Sequence, residues 1–401
     1  MRLLQRAKNM IKVMKGGRWG YFYDRLPGAQ KLFNLTNLLP HPSTYKYILL
    51  GGHGVGLTAV KYYLAKCQAK PMEVLSYENV RPFIFWREFD GLVLDKAPLN
   101  SGASKILATC TKRVPLYQIL RDPISIVKSN VNATMLHTIS TIHSQKDANA
   151  LAFEIVKNIS HLMIAFSSQR KLVEHITSDV SYLSMRDIDD SNMPSTMQNF
   201  CDRFGYTNCS YDEESVVKGS SFPRCFPYIF TIDGTLFALS TLSRLVDGSS
   251  AEIDVSAHID SKRLQWSHPI HKLESIVVEG HESHPLYLVC AAPPPIKSSS
   301  LEQARAKAQS YIESTRALLA RAEQLAFTES TLIEALLQAP DIATYLAQRI
   351  ERECAIIKND RPDIWEQFSH THKFCACVDR RADLIGSRVR DKTTASEKSG
   401  F

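Results

Sequence analysis

The chain has 401 residues, 44% of them hydrophobic and 22% charged, and a formal net charge of +7. This is a globular composition with enough length for two or three domains, which excludes a disordered or fibrous protein. The whole excess of charge sits in residues 1–33, which hold eight Lys/Arg and one acid, Asp24, while the rest of the chain is balanced. A protein that coats nucleic acid spreads its charge, so no nucleic-acid partner is expected.

Residues 1–40 form the first segment. Leu3, Leu4, Ala7, Met10, Ile11 and Met14 recur at helical spacing, with Arg2, Arg6, Lys8 and Lys12 on or beside the other face. Such a basic amphipathic arm suits an anionic membrane surface, and packing on its own domain fits equally well. No uncharged apolar run approaches the ~18 residues of a membrane span. The N-terminus lacks the pattern of a cleaved signal. The expected location is therefore cytoplasmic, with peripheral attachment to the inner membrane face open. The nine cysteines are scattered and contain no CxxC pair. They read as reduced thiols, with no metal site.

Residues 41–223 alternate strand and helix signals. A strand over Tyr45–Leu50 runs into Gly51-Gly52-His53-Gly54-Val55-Gly56-Leu57-Thr58, and a helix follows over Thr58–Cys67. A second strand is predicted at Met72–Tyr77, with apolar runs at 83–86, 92–94, 106–108 and 114–120. Helices are predicted over 123–137, 148–176 and 195–204, with a strand at 180–184. This alternation predicts an α/β fold with a parallel sheet and a P-loop-like nucleotide-binding core. Residues 224–295 change texture: Asp233-Gly234 between two apolar runs predicts a hairpin with a type I′ turn, in a β-rich region. Residues 296–377 predict helices over 301–338 and 342–358, with Ser299 and Glu302 spaced as a capping box. Residues 378–401 form a polar tail.

The glycine loop is the first candidate site. Glycines let backbone amides crowd a phosphate, and the following helix start adds positive potential. From Gly51 the loop reads as a Walker A pattern in which Leu57 replaces the lysine, followed by Thr58. From Gly54 it reads as a dinucleotide fingerprint, with Glu78 as the ribose ligand. A ligand-free tight turn is a third reading.

The second candidate is Arg121-Asp122-Pro123, closing the strand that ends at Leu120, with Ser129 two turns into the next helix. Arg121 and Ser129 are placed to grip one phosphate, the arginine through its planar fork. This element resembles the sulfotransferase superfamily, whose motif is a strand, Arg-[Asp/Asn]-Pro, then Ser eight residues after the Arg. Arg186-Asp187-Ile188 with Gly205, Lys96-Ala97-Pro98 and Lys218-Gly219 fall in the family's order. The resemblance spans roughly residues 45–223. It implies the donor 3′-phosphoadenosine 5′-phosphosulfate (PAPS), with Gly52, Gly54, Gly56 and Thr58 on its 5′-phosphosulfate. Arg121, Ser129, Lys218 and Gly219 would take its 3′-phosphate. It also implies a carbohydrate or glycolipid acceptor. Glu78 is the first candidate for the base and Asp95 the second, with Lys96 and His53 supplying charge that the loop otherwise lacks.

More remotely, the whole chain resembles an uncharacterised bacterial family labelled as sugar transferases. A glycosyltransferase using a nucleotide sugar in surface-polysaccharide synthesis is therefore the alternative enzyme. The missing loop lysine also leaves open a non-catalytic nucleotide-fold relic acting as a membrane-associated partner. His258, His268, His271, His281 and His284 lack zinc-site spacing and read as a polar loop. Phe222, Phe226, Tyr228, Phe230 and Phe237 read as core packing.

Overall fold

The computed structural model describes residues 45–73, 90–95, 97, 104, 107–108, 110–206, 222, 225–241, 271–279, 281–282, 285–291 and 295–381. The basic arm, Glu78, Lys96, Lys218 and Gly219 lie outside the described residues. The chain forms two compact units, both discontinuous: Met1–Val131, Asn149–Glu213 and Phe327–Phe401 make the first, Asn132–Ala148 and Glu214–Ala326 the second.

The elements of the first unit are β1 (Tyr47–Leu50), α1 (Leu57–Lys66), β2 (Pro71–Glu73), β3 (Gly91–Leu94), β4 (Val114–Ile119) and the helix α2 (Pro123–Thr138), whose last turns belong to the second unit. There follow α3 (Gln145–Met163), α4 (Phe166–Val173), β5 (Thr177–Leu183) and α5 (Met193–Phe204). The sheet is parallel throughout, in the order β2-β3-β1-β4-β5. The fold is thus mixed α/β with a parallel sheet, as the alternation predicts.

Every residue of β1 and β3 is buried, as expected of strands covered on both faces. Side chains alternate between those faces. Ile48, Leu50, Leu92, Leu94, Val114 and Leu116 pack with Val173 and Ile176. Tyr47 and Tyr117 point the other way, onto Phe200 of α5 at 4.7 and 5.0 Å between ring centroids. Helix α5 ends at Gly205 (φ 71°), where the Tyr206 amide donates back to the Cys201 carbonyl.

One predicted helix divides. The 148–176 signal is two helices, α3 and α4, broken at Ile164 and Ala165. The break contains neither Gly nor Pro and is held from outside. Arg349 Nε donates to the Ser160 and Ile164 carbonyls at 3.2 and 3.1 Å, and its Nη2 to that of His161 at 3.0 Å. Glu353 accepts from the Ser168 amide at 3.0 Å and from the Ser168 hydroxyl at 2.6 Å. Within Gln145–Ile176 one 18-residue window has a mean hydropathy of 1.2, and 44% of that window is buried inside the protein; no uncharged run in the segment is as long as the window.

Arg349 and Glu353 belong to α8 (Pro340–Asp360), one of the helices that follow α6 (Ser298–Leu325) in the chain and complete the first unit. These are α7 (Glu329–Leu337), α8, α9 (Pro362–Trp365) and α10 (369–381).

The second unit contains β6 (Tyr228–Ile232), β7 (Thr235–Thr241), β8 (His271–Ile276), β9 (Leu286–Cys290) and α6 (Ser298–Leu325). The antiparallel sheet runs β6-β7-β9-β8. Asp233 (φ 47°) and Gly234 (φ 77°) make the predicted hairpin turn. Phe222, Phe226, Phe230 and Phe237 are buried with Ala304, Ala308 and Ile312 of α6. Tyr228 stacks on Tyr311 at 3.8 Å, and His281 on Phe222 at 4.0 Å; His258, His268 and His284 lie outside the described residues.

Three further expectations are corrected. The Ser299–Glu302 capping box does not form: α6 starts without a side-chain cap, and Ser300 donates instead to Asp233 at 2.7 Å. The predicted 301–338 helix stops at Leu325, and the capping box is Thr328 with Thr331, starting α7. Cys67 is disulfide-bonded. Pairing follows proximity in space, which spacing along the chain does not reveal. Cys110, Cys201, Cys225, Cys290, Cys354, Cys375 and Cys377 form no disulfide.

Candidate functional site

The strand order decides where a ligand would sit. The chain leaves β1 through α1 towards β2, on one side of the sheet order, and leaves β4 towards β5, on the other. Neighbours β1 and β4 thus send their connections apart. The crevice beyond their C-terminal ends is where open parallel sheets bind ligands. The glycine loop follows β1 and Arg121 follows β4, so both sequence candidates fall at this one point.

They touch. Arg121 Nη1 donates to the Gly54 carbonyl at 2.7 Å. Asn130 Nδ2 donates to the His53 carbonyl at 2.8 Å and to Ile126 of its own helix at 2.9 Å. Gly54 (φ +89°) lies flat against α2: a Cβ there would come within 2.6 Å of Asn130 Nδ2 and 3.6 Å of Ser129 Cβ. Arg121 and Ser129 therefore converge on the loop. Asn130 was not singled out in the sequence, because an Asn inside a helix gives no local signal.

The other glycines are hemmed in differently. A Cβ on Gly52 would lie 2.3 Å from the Met163 carbonyl oxygen, at the end of α3. Gly56 (φ +92°) faces Ile188, whose Cδ1 is 2.6 Å from the Cβ position. It precedes α1, which has no side-chain cap and no acid in its first turn. Leu57, in the lysine position of the Walker pattern, is buried at 6% exposure, and Thr58 is exposed.

Asp95 follows β3 and lies beside the loop. Its Oδ2 is 3.7 Å from His53 Nε2. Its Oδ1 is buried and has no hydrogen-bond partner among the described residues. Lys61, four residues beyond Leu57 and so on the same side of α1, is a cation the sequence reading passed over. Burial lowers its pKa, and the charge of Asp95 opposes the shift. Its spacing from Leu57 was the available signal.

Just before α2, both carboxylate oxygens of Asp122 are engaged by backbone amides. Its Oδ1 caps the amides of Ile124 and Ser125 at 2.9 and 3.4 Å. Arg121 is pulled to a lower pKa by burial, against the charges of Glu329 and Asp122. Ser125 and Lys128 both bind Glu329 Oε1, at 2.9 and 2.8 Å.

Chemically, the arrangement offers a loop seated at a helix start, with Arg121 and Ser129 on one flank and a carboxylate–imidazole pair on the other. The cations Lys61, Arg121 and Lys128 lie nearby. No model of a known protein family matches the chain, and no curated protein matches it.

Proposed function

We propose that the protein is a sulfotransferase-like transferase built on a P-loop-like core, moving a sulfuryl group from PAPS to a hydroxyl of a carbohydrate or glycolipid. The observation that carries this reading is the hydrogen bond of Arg121 to the Gly54 carbonyl, with Ser129 beside Gly54, at the β1–β4 switch point. In this reading the loop and the α1 N-terminus receive the 5′-phosphosulfate. Arg121 and Ser129 receive the 3′-phosphate. The acceptor oxygen attacks sulfur, the bond from sulfur to the 5′-phosphate oxygen breaks, and adenosine 3′,5′-bisphosphate leaves. The acceptor proton passes to a carboxylate, Glu78 or Asp95. Charge growing on the leaving phosphate needs cations. Leu57 supplies none, so Lys61 and His53 join Lys96 and Lys218 as candidates. The basic arm would bring such an enzyme to anionic lipid beside a lipid-linked acceptor.

Calorimetric titration of adenosine 3′,5′-bisphosphate tests the donor. Arg121→Ala and Ser129→Ala are each expected to weaken binding at least about tenfold, the loss of one charge-assisted phosphate contact. Binding by Arg121→Ala as tight as by the wild type overturns the assignment.

A second reading is a nucleotide-fold relic without catalysis. The burial of Leu57 and the cover of Ile188 over Gly56 favour it. It predicts no turnover of PAPS with any glycan acceptor and unchanged biological function in Arg121→Ala.

A further inference from the structure

Glu329 opens α7, but α7 does not need it there. The N-cap is Thr328, whose hydroxyl accepts from the Thr331 amide, and Thr331 returns a bond to the Thr328 amide. The Glu329 side chain is instead directed to α2. One oxygen, Oε1, accepts from Lys128 Nζ at 2.8 Å and from Ser125 Oγ at 2.9 Å. Arg121, which leads into the same helix, lies within reach of its charge. A lysine, a serine hydroxyl and a nearby arginine are the donors a phosphate oxygen takes. Here a carboxylate takes the lysine and the serine, while Arg121 holds the Gly54 carbonyl.

We infer that Glu329 is an internal stand-in for a phosphate, seated on the α2 donors beside Arg121, and that an anionic ligand at this flank of the loop binds by displacing it. This rests on the reading of Arg121 and Ser129 as a phosphate grip and adds an autoinhibitory contact to it. Burial raises the Glu329 pKa, but hydrogen bonds from Lys128, its own amide and Ser125 outweigh this and hold it at about 2. The side chain is therefore an anion under all ordinary conditions. A phosphate brings up to two charges and three acceptor oxygens against one charge and two oxygens, so it is equipped to compete. Without it, Glu329 neutralises cations that would otherwise repel one another.

The test uses the full chain as wild type, Glu329→Gln and Glu329→Ala, titrated with adenosine 3′,5′-bisphosphate and separately with inorganic phosphate. Circular dichroism melts confirm that each variant is folded. Both variants are expected to bind the bisphosphate about tenfold more tightly than the wild type, the usual size of a coupling of this kind. If wild type and both variants bind it equally, or the variants bind more weakly, the displacement is overturned and the donor reading stands. If none binds the bisphosphate but the variants bind phosphate more tightly than the wild type, the stand-in role holds and the donor reading falls. If no protein binds either probe, both fall.

Discussion

Gly54 and Gly205 both sit in the left-handed region, at φ 89° and 71°, yet they should respond differently to an added methyl group. Around Gly205 there is nothing within 4 Å of a new Cβ. Gly205→Ala should then cost only the backbone strain, about 1 kcal/mol. At Gly54 the same strain is joined by a 2.6 Å approach to Asn130 Nδ2, which holds the His53 carbonyl. Asn130 must move and give up that bond, so Gly54→Ala should cost about 2–3 kcal/mol in urea denaturation. Equal costs at the two positions would mean that the loop is not clamped by α2. The glycine spacing was legible in the sequence because positive φ demands glycine locally. Asn130 and Glu329 were not legible, since each acquires meaning only from a partner elsewhere in the chain, whereas Lys61 carried one local signal, its spacing from Leu57.

At the level of elements, the α3–α4 break has an electrostatic logic. Arg349 meets the carbonyl end of one helix and Glu353 the amide end of the next, each opposing the local dipole. The two are four residues apart on α8 and 3.6 Å from each other. Both are buried, at 8% and 1% exposure. Removing Arg349 leaves the buried Glu353 with only the exposed Arg352, 3.7 Å away, as a counter-charge among the described residues, so Arg349→Met should cost about 3 kcal/mol. Glu353→Gln should cost less in the Arg349→Met background than in the wild type, by at least about 0.5 kcal/mol in a double-mutant cycle. Because the end of α3 backs Gly52, Arg349→Met should also speed amide exchange at Gly52–Gly56. Unchanged exchange there would confine the pair to a purely local role. The hairpin at Asp233-Gly234 and the helix end at Gly205 were readable because their residues carry the turn chemistry themselves. The α3–α4 break and the stop at Leu325 were not. The first is imposed by side chains about 185 residues away in sequence. The second is announced by a box of Thr328 and Thr331, which lacks the Glu or Gln that marks a capping box in sequence.

Over the whole chain, the largest thing that local patterns hid is the return of the C-terminal helices to the parallel sheet's own unit. Asp122 shows how that return is fixed. Beyond capping α2, its Oδ1 accepts from the Thr371 hydroxyl at 2.7 Å, and its Oδ2 from the amides of His370 and Thr371 at 3.1 and 3.2 Å. One carboxylate therefore serves the first turns of α2 and α10, which lie about 250 residues apart. The sequence reading placed Asp122 inside a ligand motif; its contacts make it a structural anchor that sets Arg121 beside the loop. If the anchor is shared, losses at its two ends must overlap. Asp122→Ala should cost about 2–4 kcal/mol, the sum of a lost cap and several half-buried charge-assisted bonds. Thr371→Val should cost about 1 kcal/mol alone and clearly less when Asp122 is already Ala. Urea denaturation of the three variants measures this coupling. Strictly additive costs would show that Asp122 stabilises α2 alone and that α10 is held by its buried apolar face, Phe374 foremost, which is 0% exposed.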